Sequence, residues 1–182
     1  LVFPTGYQAN LAMVAALAGR HDRVVFDRAN HASLYDAVIL AGAALERYPH
    51  GNAGAAAELL AAPDSAGRTW IVTDTVFSMD GDRAPLVALA EACTTAGAGL
   101  LLDEAHATGI LGPEGAGLAA ELPAADRRAV VASVGTLSKA LGGVGGFVAA
   151  SREVIDLLVN RARPFIYTTA IPPAACEAAR EA

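Results

Sequence analysis

The sequence predicts an α/β fold, a mostly parallel β-sheet with helices on both faces. Three observations carry that prediction. Short runs such as TWIVTDTVF (69–77) and AGLLLDE (98–104) are apolar without polar alternation, as strands buried on both faces must be. These runs alternate along the whole length with alanine-rich or amphipathic stretches long enough for crossover helices. The 182 residues, 54% hydrophobic and 18% charged, suffice for one domain; a chain of that size buries roughly 70% of its unfolded surface.

In chain order, GYQANLAMVAALAG (6–19) reads as a helix opening at Gly6, and RVVFD (23–27) as a short strand. HASLYDAVILAG (31–42) is helical, ALERYP (44–49) strand-like and AGAAAELLAA (53–62) helical again. The run 69–77 is a continuous strand. Pro85 opens the helix PLVALAEACTTAG, where its missing N–H does no harm. Strands follow at 98–104, 129–135 and 145–151, then a helix at 152–162, the segment PFIYTT, and a last helix after Pro172 and Pro173.

Composition excludes several function classes. The net charge of −6 offers no basic footprint for nucleic acid, and no apolar run reaches the roughly 20 residues of a membrane span. Cys93 and Cys176 are too few for a disulfide framework and read as small buried residues. With no signal peptide, the cytoplasm is the expected compartment. The chain starts at Leu1 without a methionine and stops inside a helical stretch. It therefore reads as a central piece of a longer protein.

In parallel sheets ligands bind beyond the carboxyl ends of the strands, and the chemistry-bearing residues gather there. Lys139, the one lysine in the chain, lies between Leu137 and Leu141 with glycines behind it. Partial removal from water would lower its pKa and make the amine a nucleophile; a solvated surface lysine is the plain alternative. Thr136-Leu-Ser-Lys139 approaches the S-x-x-K nucleophile motif, but neither S-D-N nor K-T-G occurs. Asp103 ends an apolar strand, so its carboxylate needs a cation or a strong donor, for which a protonated ring nitrogen would serve. His106, three residues on, suits a phenolic oxygen or a metal, although DxxH alone supplies too few ligands for a metal site. Glu104 reads as structural or solvated.

His31 stands at a helix start beside the capping residue Asn30; it is either an ordinary surface histidine or a flat ring able to stack on a planar ligand. His21 and His50 have no such context. Thr5, Gly6 and Tyr7 mark a helix N-terminus, which favours a phosphate, and Thr136 and Ser138 could add hydroxyl donors. Together these pieces ask for one ligand with a phosphate, an aromatic face, a ring nitrogen wanting a carboxylate and an aldehyde wanting a lysine. Pyridoxal 5′-phosphate has all four.

The segments TGYQAN, NHASL, VFSMDGD, DEAHATG, GTLSKALGGVGGF and RPFIYTTAIPP, spread over residues 4–173, resemble the α-oxoamine synthase family. The resemblance implies that residues 1–182 are the large cofactor-binding domain of the aspartate-aminotransferase fold, with an N-terminal segment and a small C-terminal domain missing. The resemblance implies that Lys139 holds the cofactor covalently and carries the proton of the reaction. It implies Asp103 at the pyridine nitrogen, His106 at the ring hydroxyl, His31 over the ring face near the substrate, and Gly6, Tyr7 and Thr136 at the phosphate. Ser78 would approach the phenolic edge, while Asp80 and Asp82 hold the turn around Gly81. The catalytic residues would be Lys139, His31 and His106, with no metal. The implied reaction is the decarboxylative condensation of a small amino acid with an acyl thioester, in a homodimer. NHASL, VFSMDGD and FIYTTAIPP look most like the biotin-synthesis branch, which joins L-alanine to a pimeloyl thioester of coenzyme A or acyl carrier protein. The branches using glycine with succinyl-CoA, making 2-amino-3-ketobutyrate, or joining serine to a palmitoyl group stay open, as does other chemistry on the same cofactor and fold. Asp74 stands where many members carry a longer glutamate, and it is left out of the expected site.

Overall fold

A computed structural model describes residues 1–62 and 67–182. The described residues form the expected α/β architecture, with a sheet of seven strands in the order β1-β7-β6-β5-β4-β2-β3. β2 (Arg23–Asp27), β3 (Ala44–Tyr48), β4 (Thr69–Asp74), β5 (Gly99–Asp103) and β6 (Val130–Thr136) run parallel to one another. β7 (Gly146–Ala150) runs antiparallel to β6 and also to β1 (Val2–Phe3). The sequence reading had no β1, since two residues are too few to show a period.

Side chains alternate across the sheet and sort its two faces. Val24, Phe26, Val72, Leu101, Val134 and Val148 join one core with α1 (Gly6–Leu17), α2 (Ala32–Ala41) and α5 (Arg152–Arg161). Val25, Ile71, Leu100 and Leu102 point the other way, into a core shared with α3 (Ala53–Ala61) and α4 (Leu86–Ala96). Leu89 and Cys93 are fully buried there. Cys176 lies only partly buried on α7 (Pro173–Glu181), not in a core. PFIYTT opens with a single helical turn, α6 (Arg163–Ile166).

Two local departures bear on the site. β4 stops at Asp74, and Val76 bridges to Arg83 so that the chain folds back on itself around a turn at Gly81. α2 is capped by His31, whose side chain accepts from Ser33 N; Asn30 instead donates to Val72 O and accepts from Asp74 N. The glycines behind Lys139 also acquire a specific reason. Gly145 turns the chain with φ +112°, and a Cβ on Gly146 would lie 2.7 Å from the backbone of Gly6. β7 therefore lies directly against the start of α1, which only a glycine permits.

Candidate active site

Three neighbouring parallel strands each end in a buried aspartate, Asp27 on β2, Asp74 on β4 and Asp103 on β5, at 1%, 2% and 4% exposure. Asp74 and Asp103 sit opposite each other in the β4–β5 register, in phase with Val72 and Leu101. Both carboxylates therefore face the α1/α2 side, where a cleft of about 180 Å³ opens beyond the strand ends. A larger groove of about 510 Å³, lined by Leu86, Val87, Leu118 and Leu122 among others, is mostly apolar and gathers no comparable set of groups.

Asp103 accepts from Ala105 N at 2.8 Å and from Asn10 Nδ2 at 2.6 Å. Asp74 accepts from His31 N at 2.7 Å, and its carboxyl is pushed up to about 7, first by burial and then by the charge of Asp103; the His31 N–H and Lys139 work against the rise. Across the cleft Lys139 Nζ lies 2.8 Å from His106 Nε2. Burial lowers the lysine pKa, and Asp103 and Asp74 oppose that shift. Burial likewise lowers the histidine pKa, and Lys139 adds to the effect. The flanking Leu137 is buried, but Lys139 as a whole residue is exposed, so it is less withdrawn from water than its neighbours in sequence suggest.

The remaining walls come from the starts of α1 and α2 and from the turn after β6. Thr5 caps α1 by accepting from Gln8 N, leaving Gly6 and Tyr7 on the cleft, and Tyr7 Oη donates to Asp36. Thr136 also lines it, but its hydroxyl hydrogen goes to Gly145 O at 3.1 Å. Ser138 Oγ, 2.9 Å away, is the hydroxyl on the exposed rim. His31 reaches the cleft as well, with Nδ1 2.7 Å from Ser33 Oγ.

Of the expected site residues, Gly6, Tyr7, His31, Asp103, His106, Thr136 and Lys139 therefore come together. Ser78 does not: it is exposed on the turn after Phe77 and is absent from the cleft wall. Asp74, set aside for its short side chain, is a cleft residue after all, as are Asn10 and Ser33. Asp74 had a usable signal, since it ends an apolar strand just as Asp103 does. Glu104 is structural, accepting from Thr75 Oγ1, Leu118 N and Ala119 N.

His50 is more than a bystander. It bridges Asp27 at 3.0 Å and Asp82 at 2.9 Å. It also stands with Asp80 and Asp82 in a group whose ligand atoms lie within 4.8 Å of one another. All three residues are exposed, and both imidazole nitrogens already face carboxylates.

Residues 1–182 match the aminotransferase class I and II family. The chain belongs to that family. It is 52% identical over 183 residues to an 8-amino-7-oxononanoate synthase of Geobacter sulfurreducens, a match covering 100% of this chain and 46% of the relative. Its backbone superposes on a serine palmitoyltransferase of Sphingomonas wittichii with a TM-score of 0.92 at 36% identity, covering 100% of this chain and 45% of that one. A serine palmitoyltransferase solved with pyridoxal phosphate gives a TM-score of 0.91 at 34% identity, with the same coverage. The expected resemblance to α-oxoamine synthases is borne out. The chain spans a little under half the length of these relatives. Among the described residues no helix is long and apolar enough to cross a membrane.

Proposed function

We propose that the chain is the large cofactor-binding domain of a pyridoxal-phosphate-dependent 8-amino-7-oxononanoate synthase, which joins L-alanine to a pimeloyl thioester with loss of carbon dioxide. The observation that carries this reading is the single lysine amine, 2.8 Å from His106, sharing a small cleft with the buried carboxylate of Asp103. The donor set suits the cofactor: a carboxylate for a ring nitrogen, an imidazole for a ring hydroxyl, a helix start for a phosphate and an amine for an aldehyde. The 52% identity to a synthase of that name favours the biotin-pathway substrates.

Bound there, pyridoxal phosphate supplies the electron sink that makes a carbanion at the amino acid's Cα accessible. The residues of this chain do the rest. Lys139, its pKa lowered by burial, takes the Cα proton and can return it. Asp103, fixed by Ala105 N and Asn10, would hold the ring nitrogen and favour its protonated form. His106 would hold the ring hydroxyl, and His31 would cover one face of the cleft. The assembly is expected to be a cytoplasmic homodimer, which light scattering on the full-length protein checks.

The test is turnover by the full-length enzyme with alanine, glycine and serine, each paired with pimeloyl, succinyl, acetyl and palmitoyl thioesters, reading released coenzyme A. Alanine with a pimeloyl thioester should be the productive pair. Lys139→Ala should lower its rate on the order of 10⁴-fold while leaving the circular dichroism spectrum unchanged. Undiminished turnover in that variant would refute the assignment, and a different productive pair would rename the substrates.

A further inference from the structure

We propose that Asn10 and Ser33 are positioning residues forming a one-way hydrogen-bond chain that fixes the tautomer of His31 and ties it to the charge on Asp103. Asn10 and Ser33 are both buried, and neither belonged to the site expected from the sequence. Asn10 Nδ2 lies 2.6 Å from Asp103 Oδ2 and 2.9 Å from Ser33 Oγ. An ionised carboxylate only accepts, so the amide must present its NH₂ to Asp103. The second hydrogen of that NH₂ then goes to Ser33 Oγ, which must accept it. The serine hydroxyl hydrogen is left for His31 Nδ1, 2.7 Å away.

An independent bond ends the chain with the same polarity. Ser33 N lies 3.2 Å from His31 Nδ1, and a backbone N–H can only donate. Nδ1 is therefore a double acceptor, and the ring proton of the neutral imidazole sits on Nε2. The arrangement has a visible cost: Asn10 Oδ1 is buried with no hydrogen-bond partner among the described residues. An amide retained only to fill space would not need to leave its oxygen in that condition. Both hydrogens of Asn10 are committed, and the oxygen is turned away from Asp103 as a consequence.

One network therefore sets two groups that line the same cleft, the carboxylate at the end of β5 and the imidazole at the start of α2. The value of a neutral Nε2–H donor to catalysis rests on the function proposed above, but the tautomer does not. Histidine labelled with ¹⁵N in the full-length protein, in mildly alkaline buffer, reports it directly. The His31 signals are assigned by their loss in His31→Gln.

In the wild-type protein Nδ1 should appear at the position of an unprotonated ring nitrogen and Nε2 as the protonated one. Ser33→Ala leaves only the longer backbone bond, and Asn10→Ala frees the serine hydroxyl to reverse. Both should move the two nitrogens toward the averaged positions of free imidazole, while Ser33→Thr, which keeps the hydroxyl, restores the wild-type pattern. A wild-type His31 protonated on Nδ1 would overturn the proposal, and that measurement needs only the assignment variant His31→Gln to fold. So would folded Ser33→Ala and Asn10→Ala proteins whose His31 nitrogens do not move. If the fixed tautomer is found but no thioester reacts, the proposed function fails and the network stands.

Discussion

Asp27 and Asp103 begin alike and end differently. Each closes a buried parallel strand, and each accepts from the backbone N–H two residues on, Ala29 in one case and Ala105 in the other, both at 2.8 Å. Alternation then sends Asp27 to the α3/α4 face, in phase with Val25. There Gly51 N at 2.9 Å and His50 Nδ1 at 3.0 Å complete its shell. Asp103 emerges on the other face beside Asp74, a second carboxylate, and among the described residues only the Asn10 amide is a further donor. Whether the surroundings satisfy a buried carboxylate, rather than burial itself, separates a structural aspartate from one prepared for a ligand.

The difference can be broken at either end. Asp103→Asn should lower turnover on the order of 10²–10³-fold, since it removes the charge facing a developing one, with little loss of thermal stability. Asp27→Asn should do the reverse. Its loss of backbone and histidine donors should cost about 2–4 kcal/mol in chemical denaturation, with turnover per folded molecule unchanged. Equal effects of the two substitutions on both readouts would remove the distinction.

Asp74 sharpens the comparison through pH. Its folded pKa of about 7 lies above the ordinary 3.8, so its contribution to stability is full below 3.8 and is lost as pH rises through 7. Asp74→Asn keeps an acceptor for His31 N and cannot ionise. The variant should melt higher than wild type above about pH 7, and the two should converge in acid. A margin that does not change with pH would show that neither burial nor Asp103 raises the Asp74 carboxyl.

The smallest effect belongs to His50. Its pKa is raised, first by the hydrogen bond to Asp27, so its stabilisation is full below 6.5 and lost as pH climbs past the raised value. A third of the side chain is exposed, so His50→Gln should cost only about 0.5–1 kcal/mol. That loss should appear at the acid side of the window and vanish in alkali.

How much of this was legible in the sequence follows from the physics of each signal. Buried parallel strands such as GLLLD announce themselves, and the residues emerging from them, Asp103 and His106, were found because a carboxylate after an apolar run needs a reason. The direction of β7 was missed, although the connection 137–145 is shorter than the dozen or so residues a parallel crossover requires. Ser78 was placed by likeness of motif, but β4 ends at Asp74 and Ser78 falls on the exposed turn after Phe77. Asn10 and Ser33 were hidden because a polar residue on a helix looks the same whether it faces water or a buried partner. Only the packing of α1 against α2 and the sheet reveals which.

The antiparallel seam between β1 and β7 has a kinetic consequence. Val2 pairs with Phe147 and Phe3 with Gly146, residues far apart in sequence, and Gly146 then seats the first residue of α1. High contact order makes such pairings slow to form. The helix start that would receive the phosphate should therefore settle among the last steps of folding. Ligand-binding competence should lag behind the recovery of secondary structure during refolding, and Gly146→Ala should lengthen that lag more than it changes the earlier phase.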